Sequence, residues 1–176
     1  MKFNKFNIKR TFFYVLISAV FLFLINIFFS FISKTELKNI YTNKNFFICN
    51  FYDVGSAGRG ASMAKYKFQA RNKNYKGAIS LATFGSSNPI IGKNYIVAYN
   101  SKNPGESICF LNLEVHDSIQ HYFKKGSLNK LPIEAYQRTV DSFFLKNLTS
   151  GLDKYFPPYY KKEDFLDLEY LWEEEE

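Results

Sequence analysis

Cys49 and Cys109, 60 residues apart, are the only two cysteines in the chain. A thiol pair has two uses in a small domain. In an oxidising compartment, and on strands that lie side by side, the two can close a disulfide that stabilises the fold by about 2–4 kcal/mol. Otherwise they act as small buried hydrophobes, which is the plainer reading. A disulfide needs Cα atoms within about 7 Å, a condition set by the fold, so both uses stay open here.

The two histidines, His116 and His121, have Glu114 and Asp117 beside them. Five positions put two imidazoles on different faces of a helix, and zinc normally takes four ligands at spacings not found here, so no metal site is assigned. Gly55, Gly58 and Gly60 lie in Asp53-Val54-Gly55-Ser56-Ala57-Gly58-Arg59-Gly60. That loop has neither the Lys-Ser/Thr of a phosphate loop nor the glycine order of a dinucleotide fingerprint, and it precedes an alternating stretch in place of a helix. It reads as a flexible hairpin loop. No Ser/His/Asp order, paired-acid spacing or Cys/His couple stands out, so no catalytic residue and no cofactor is assigned.

The elements that would hold these residues begin with a long apolar run. Residues 11–33 contain no ionisable side chain except the phenol of Tyr14. At about 1.5 Å per residue this is enough helix to cross a bilayer core of roughly 30 Å, so the lipid bilayer is the first partner expected. A cleaved secretory signal would have a shorter apolar region and a small-x-small exit. Here the exit is Phe29-Ser30-Phe31-Ile32-Ser33, and an uncleaved anchor is expected. Lys2, Lys5, Lys9 and Arg10 precede the run, and Lys34, Lys38 and Lys44 follow it. The positive-inside rule then places the short basic tail, residues 1–10, in the cytoplasm and the rest of the chain outside it.

After an expected linker at 34–44, residues 45–113 read as an antiparallel β domain. Residues 46–52 are aromatic and β-branched enough for a strand. Ala64, Tyr66, Phe68 and Ala70 alternate with Lys65, Lys67, Gln69 and Arg71, one dry and one wet face at period two. Arg71-Asn72-Lys73-Asn74 is a turn signal leading to a strand at 75–84, with Tyr75, Ile79 and Leu81 on one face. After the loop at 85–89, strands at 95–100 and 107–113 flank a Pro104-Gly105 turn. The expectation is a mainly β fold: five antiparallel strands in a meander or small barrel, with one N-terminal transmembrane helix and a C-terminal amphipathic helix.

The order of an N-terminal span, a Gly-rich loop, a Tyr-x-Phe strand, the hairpin Asn72-Lys73-Asn74-Tyr75-Lys76-Gly77, and Gly92-Lys93-Asn94-Tyr95-Ile96-Val97-Ala98-Tyr99-Asn100 running into Lys102-Asn103-Pro104 resembles a group of uncharacterised bacterial membrane-anchored proteins. The resemblance covers residues 11–113. It implies a bacterial envelope protein, single-pass in the inner membrane, with a small β domain, and it carries no catalytic residue across.

Residues 114–162 form a helical extension. Ile133, Tyr136, Val140, Phe143, Phe144 and Leu148 recur at helical spacing after Pro132, with Gly151 as a stop. The stripe is expected to pack on a sheet face. Pro157-Pro158 ends any helix.

Charge divides the chain unevenly. Residues 34–162 hold 19 basic and 8 acidic groups, whereas residues 163–176 hold 8 acidic groups and no base. Lysines beside anionic lipid are attracted by roughly 1 kcal/mol each, but on alternating strands they are also simply the wet face. The whole balance does not indicate nucleic acid as a partner. The acidic-hydrophobic tail, 163–176, carries Phe165, Leu166, Leu168, Tyr170, Leu171 and Trp172. It is expected to fold back onto the basic body. The alternative is ordering on a partner through Phe165, Leu168, Leu171 and Trp172.

Two function classes follow. One is a membrane-anchored, non-enzymatic envelope protein whose β domain binds a protein or lipid partner. The other is an immunity-type protein that neutralises a toxin, with an enzyme at the membrane surface a distant third.

Overall fold

A single helix, α1 (Lys5–Thr42), runs unbroken for 38 residues, about 57 Å at the α-helical rise. The computed structural model describes residues 5–56, 58, 62–84, 89–150 and 160–171. No Gly or Pro interrupts residues 5–42, and α1 changes character along its length. From Thr11 to Ile32 most of its large apolar side chains stand exposed, Phe12 at 69 % and Phe29 at 62 %. Beyond them Leu37, Ile40 and Tyr41 turn one stripe into the domain core. Residues 34–42, expected as a linker, are therefore helix. Helix propagation continues because Leu37, Ile40 and Tyr41 recur at the spacing that gives a helix one buried face.

Five antiparallel strands follow: β1 (Lys44–Ser56), β2 (Ser62–Ala70), β3 (Lys73–Ser80), β4 (Asn94–Asn100) and β5 (Ser107–Glu114). Their order in the sheet is β3-β2-β1-β4-β5, so β1 is central. A simple meander is not formed, because the chain returns after β3 to lay β4 along the free side of β1. The β2–β3 hairpin turns on Arg71 and Asn72, at φ 50° and 60°, with Ala70 facing Lys73. Two positive-φ residues give a turn whose twist matches that of the strands. Lys73 and Asn74, expected in the turn, are thus the start of β3. That strand stops at Ser80, and residues 81–84 form a 3₁₀ turn. β1 in turn extends to Ser56, into the expected loop, with a bulge between Phe51 and Asp53.

Alternation sorts the sheet into two faces. The inner face gathers Cys49, Phe51, Ala64, Tyr66, Phe68, Ala70, Val97, Tyr99, Cys109 and Leu111 into one core. Among the described residues no α-helix covers this face, and Leu81 of the 3₁₀ turn packs against its core. The sheet curls until β3 approaches β5, and the Tyr66 hydroxyl reaches across to donate to the Ser107 carbonyl at 2.8 Å. The two edges are not paired by a ladder, so the sheet is open and not a closed barrel. On the outer face Phe46, Ile96, Ala98 and Phe110 pack against α1 and the C-terminal helical elements. β4 is buried on both sides for this reason.

Those C-terminal elements are α2 (Asp117–Gln120), a 3₁₀ segment (His121–Lys125), α3 (Glu134–Thr149) and a second 3₁₀ segment (Lys162–Leu171). Helical residues outnumber strand residues, so the fold is mixed and not mainly β. On α3, Val140, Phe144, Leu145 and Leu148 are buried, while Ile133, Tyr136 and Phe143 are partly buried against the same core. Gly151 and Pro157-Pro158 lie outside the described residues.

Candidate functional site

The seam where α1, α3 and the 162–171 segment meet carries a polar cluster. Asp141 on α3 accepts a hydrogen bond from Gln137 Nε2 at 2.8 Å and another from the Tyr170 hydroxyl at 2.7 Å, both at Oδ2. Gln137, one helical turn earlier, spends its carbonyl oxygen on the Leu131 N–H at 2.9 Å. The second carboxylate oxygen of Asp141, Oδ1, is buried with no hydrogen-bond partner among the described residues. On α1, the Tyr41 hydroxyl donates to Asp167 of the C-terminal segment. The Lys44 ammonium sits over the Tyr41 ring, 3.9 Å from its centroid.

Burial lowers the Lys44 pKa, and the nearby carboxylates of Asp141 and Asp167 partly offset that. The Tyr170 pKa is raised, first by burial and then by its bond to the Asp141 carboxylate. A cleft of about 590 Å³ opens beside these groups. Its polar atoms chiefly bond one another, which ties the end of α1 to α3 and the C-terminal segment.

A second cleft, also about 590 Å³, lies on the outer face of the sheet, between β1–β3 and the α2/3₁₀ segment. The helices cover β1, β4 and β5 here and leave β2 and β3 bare. Lys67 of β2 and Lys76 of β3 face each other across the ladder, and Lys124 reaches the cleft from the opposite wall. Asn50, Gln69, Asn74, Asn94 and Gln120 add amides, and among the described residues no carboxylate lines the space. Asn50 is committed to the structure, donating to the Gly92 carbonyl at 3.0 Å. Two carboxylates of the sheet are already paired, Asp53 with Lys65 at 2.8 Å and Glu114 with Lys93 at 3.1 Å.

The residues singled out in the sequence fall in different places. Cys49 on β1 and Cys109 on β5 are not on neighbouring strands, because β4 lies between them. Their sulfurs nonetheless stand 2.9 Å apart in the inner core, brought together by the curl of the sheet, and both are free thiols in this structure. Burial first, and then the neighbouring thiol, push the Cys49 pKa up, which makes it a poor nucleophile.

His116 precedes α2 as its N-cap, and His121 opens the 3₁₀ segment with its ring against Tyr122. Both are exposed. Among the described residues no three His, Cys, Asp or Glu side chains gather as a metal site. Gly58 has φ 79° in the loop after β1, and Gly60 lies outside the described residues.

Phe165, Leu168 and Leu171 are buried in the outer core, the Phe165 ring edge-on to Tyr41 and under the Lys38 ammonium at 4.0 Å. Their apolar surface is covered by the chain itself, as the fold-back of the tail would have it. Trp172 lies outside the described residues.

The sequence reading passed over Asp141, Gln137 and the Lys67–Lys76 pair. Gln137 and Asp141, four apart and next to the apolar stripe of α3, were a legible sign of a buried polar step. The lysine pair required the hairpin register. Compared with protein-family models, with curated proteins and with solved structures, the chain finds no match.

Proposed function

We propose that this is a single-pass membrane protein whose sheet domain stands outside the cytoplasm and works by binding a partner, not by catalysis. The observation that carries this reading is α1. It is one helix, long and apolar enough to cross a membrane, and its last turns are built into the outer core through Leu37, Ile40 and Tyr41. The run's exit, Phe29-Ser30-Phe31-Ile32-Ser33, lacks the small-x-small pattern at which a signal is removed, which supports an anchor that stays. The basic N-terminal tail supports a cytoplasmic start. Partner binding is supported by the open basic cleft, a concave surface with polar groups facing into it.

Protease treatment of cells making the chain with a C-terminal tag tests this. Digestion of the domain once the outer barrier is opened is the expected result. Protection until the inner membrane is lysed would reverse the orientation. Recovery of a chain lacking residues 1–33 in the soluble fraction would replace the anchor by a signal sequence.

A further inference from the structure

The register of the β2–β3 hairpin sets Lys67 directly opposite Lys76. Directly opposed side chains on one face have Cβ atoms about 4.5–5.5 Å apart, and like charges there destabilise the pair. Neither lysine, nor Lys124 across the cleft, makes an ion pair among the described residues, whereas Lys65 and Lys93 on neighbouring positions do. Three lysines therefore line one space of about 590 Å³ that no carboxylate of the described residues lines, with the Lys67 ammonium also 5.8 Å from the centroid of the Tyr52 ring.

That arrangement selects an anion of more than one charge or several oxygens. A carboxylate is matched best by the planar fork of arginine, and no arginine of the described residues lines this cleft. Lysine serves phosphate as a point charge, and a phosphate offers several strong acceptor oxygens to separate ammonium groups. Beside the lysines, Gln69, Asn74 and Gln120 border the cleft with amides that suit hydroxyl groups, since each both donates and accepts.

We propose that the outer-face cleft binds a phosphate ester carried on a hydroxylated body, with Lys67, Lys76 and Lys124 holding the phosphate and the amides of Asn74 and Gln120 the hydroxyls. A free polyol phosphate and the headgroup of a phosphoglyceride share this chemistry. The inference rests on the binding half of the reading above and is independent of which side of the membrane the domain occupies.

The test is calorimetric titration of the full chain in neutral detergent with glycerol 3-phosphate and, separately, with dihexanoyl phosphatidylglycerol. Glycerol and dihexanoyl phosphatidylcholine are the controls. Saturable binding of one equivalent of glycerol 3-phosphate supports the site and a free ester as source. Binding of the phosphatidylglycerol alone supports the site with a lipid headgroup as source.

The double variant Lys67→Gln/Lys76→Gln is expected to weaken binding at least tenfold, and Lys102→Gln, on the β4–β5 turn, to leave it unchanged. Removing the like-charge pair should also raise the melting temperature of the ligand-free chain by about 1–3 °C, so lost binding is not lost folding. Absence of binding by both phosphate compounds, or equal binding by the double variant and the wild type, overturns the proposal. Either failure leaves the anchor and its orientation, read by protease, untouched.

Discussion

Tyr66 shows how much one side chain decides in this sheet. Its ring is 1 % exposed, its hydroxyl crosses the curled interior to Ser107, and it lies over Gly77 on the next strand. A Cβ at position 77 would come within 2.7 Å of Tyr66 Cε2, so Gly77→Ala must displace the ring. The expected cost is about 1–3 kcal/mol in a urea melt. Tyr66→Phe keeps the ring and loses the hydrogen bond, for about 0.5–1.5 kcal/mol at neutral pH. Burial raises the Tyr66 pKa above its ordinary 10.0, with the Ser107 bond opposing in part. The folded chain therefore keeps a proton that the unfolded chain releases above about pH 10. This contribution is whole below that pH and is lost as pH rises beyond it. Melting temperatures from pH 8 to 11 should fall less steeply for Tyr66→Phe than for the wild type.

Elements differ in how far the sequence discloses them. The period-two run at 64–70 was legible because β2 has one face in the inner core and the other wet, and its alternating burial matches residue by residue. The long apolar run was legible by length alone. The strand order was not, since nothing local specifies that β4 returns to β1, and the cleft with its facing lysines depends on that order and on the hairpin register. Nor was the continuation of α1 through 34–42, where the polar Lys34, Thr35, Glu36, Lys38 and Asn39 mask the stripe of Leu37, Ile40 and Tyr41. That last stretch makes a direct prediction. A chain cut to begin at residue 34 retains the stripe and should melt cooperatively in the absence of detergent. One beginning at 43 uncovers Phe144 and Phe165, which meet Tyr41, and should bind a hydrophobic dye and melt without a cooperative transition.

For the whole molecule, the two cores divide the labour. The inner core is closed by the sheet's own curl, and the outer one is assembled from both ends of the chain, with α1 and the 162–171 segment meeting over α3. The Tyr41–Asp167 and Tyr170–Asp141 bonds fasten that meeting point, and Lys34 adds a bond to the Ser150 side chain at 3.1 Å. An uninterrupted shaft from the apolar run into this junction fixes the domain's azimuth as well as its height. One residue inserted after Ser33 would turn the cleft by about 100° around the shaft and raise it by about 1.5 Å, whereas seven would return it to within about 20° of its first bearing, roughly 10 Å higher. With α1 as the anchor proposed above, a partner held in the same membrane should lose its grip on the first variant and regain it on the second, while a freely diffusing ligand should bind both alike. Crosslinking yields across such an insertion series would read the chain as a protractor, showing whether what it meets is itself fixed in the plane of the bilayer.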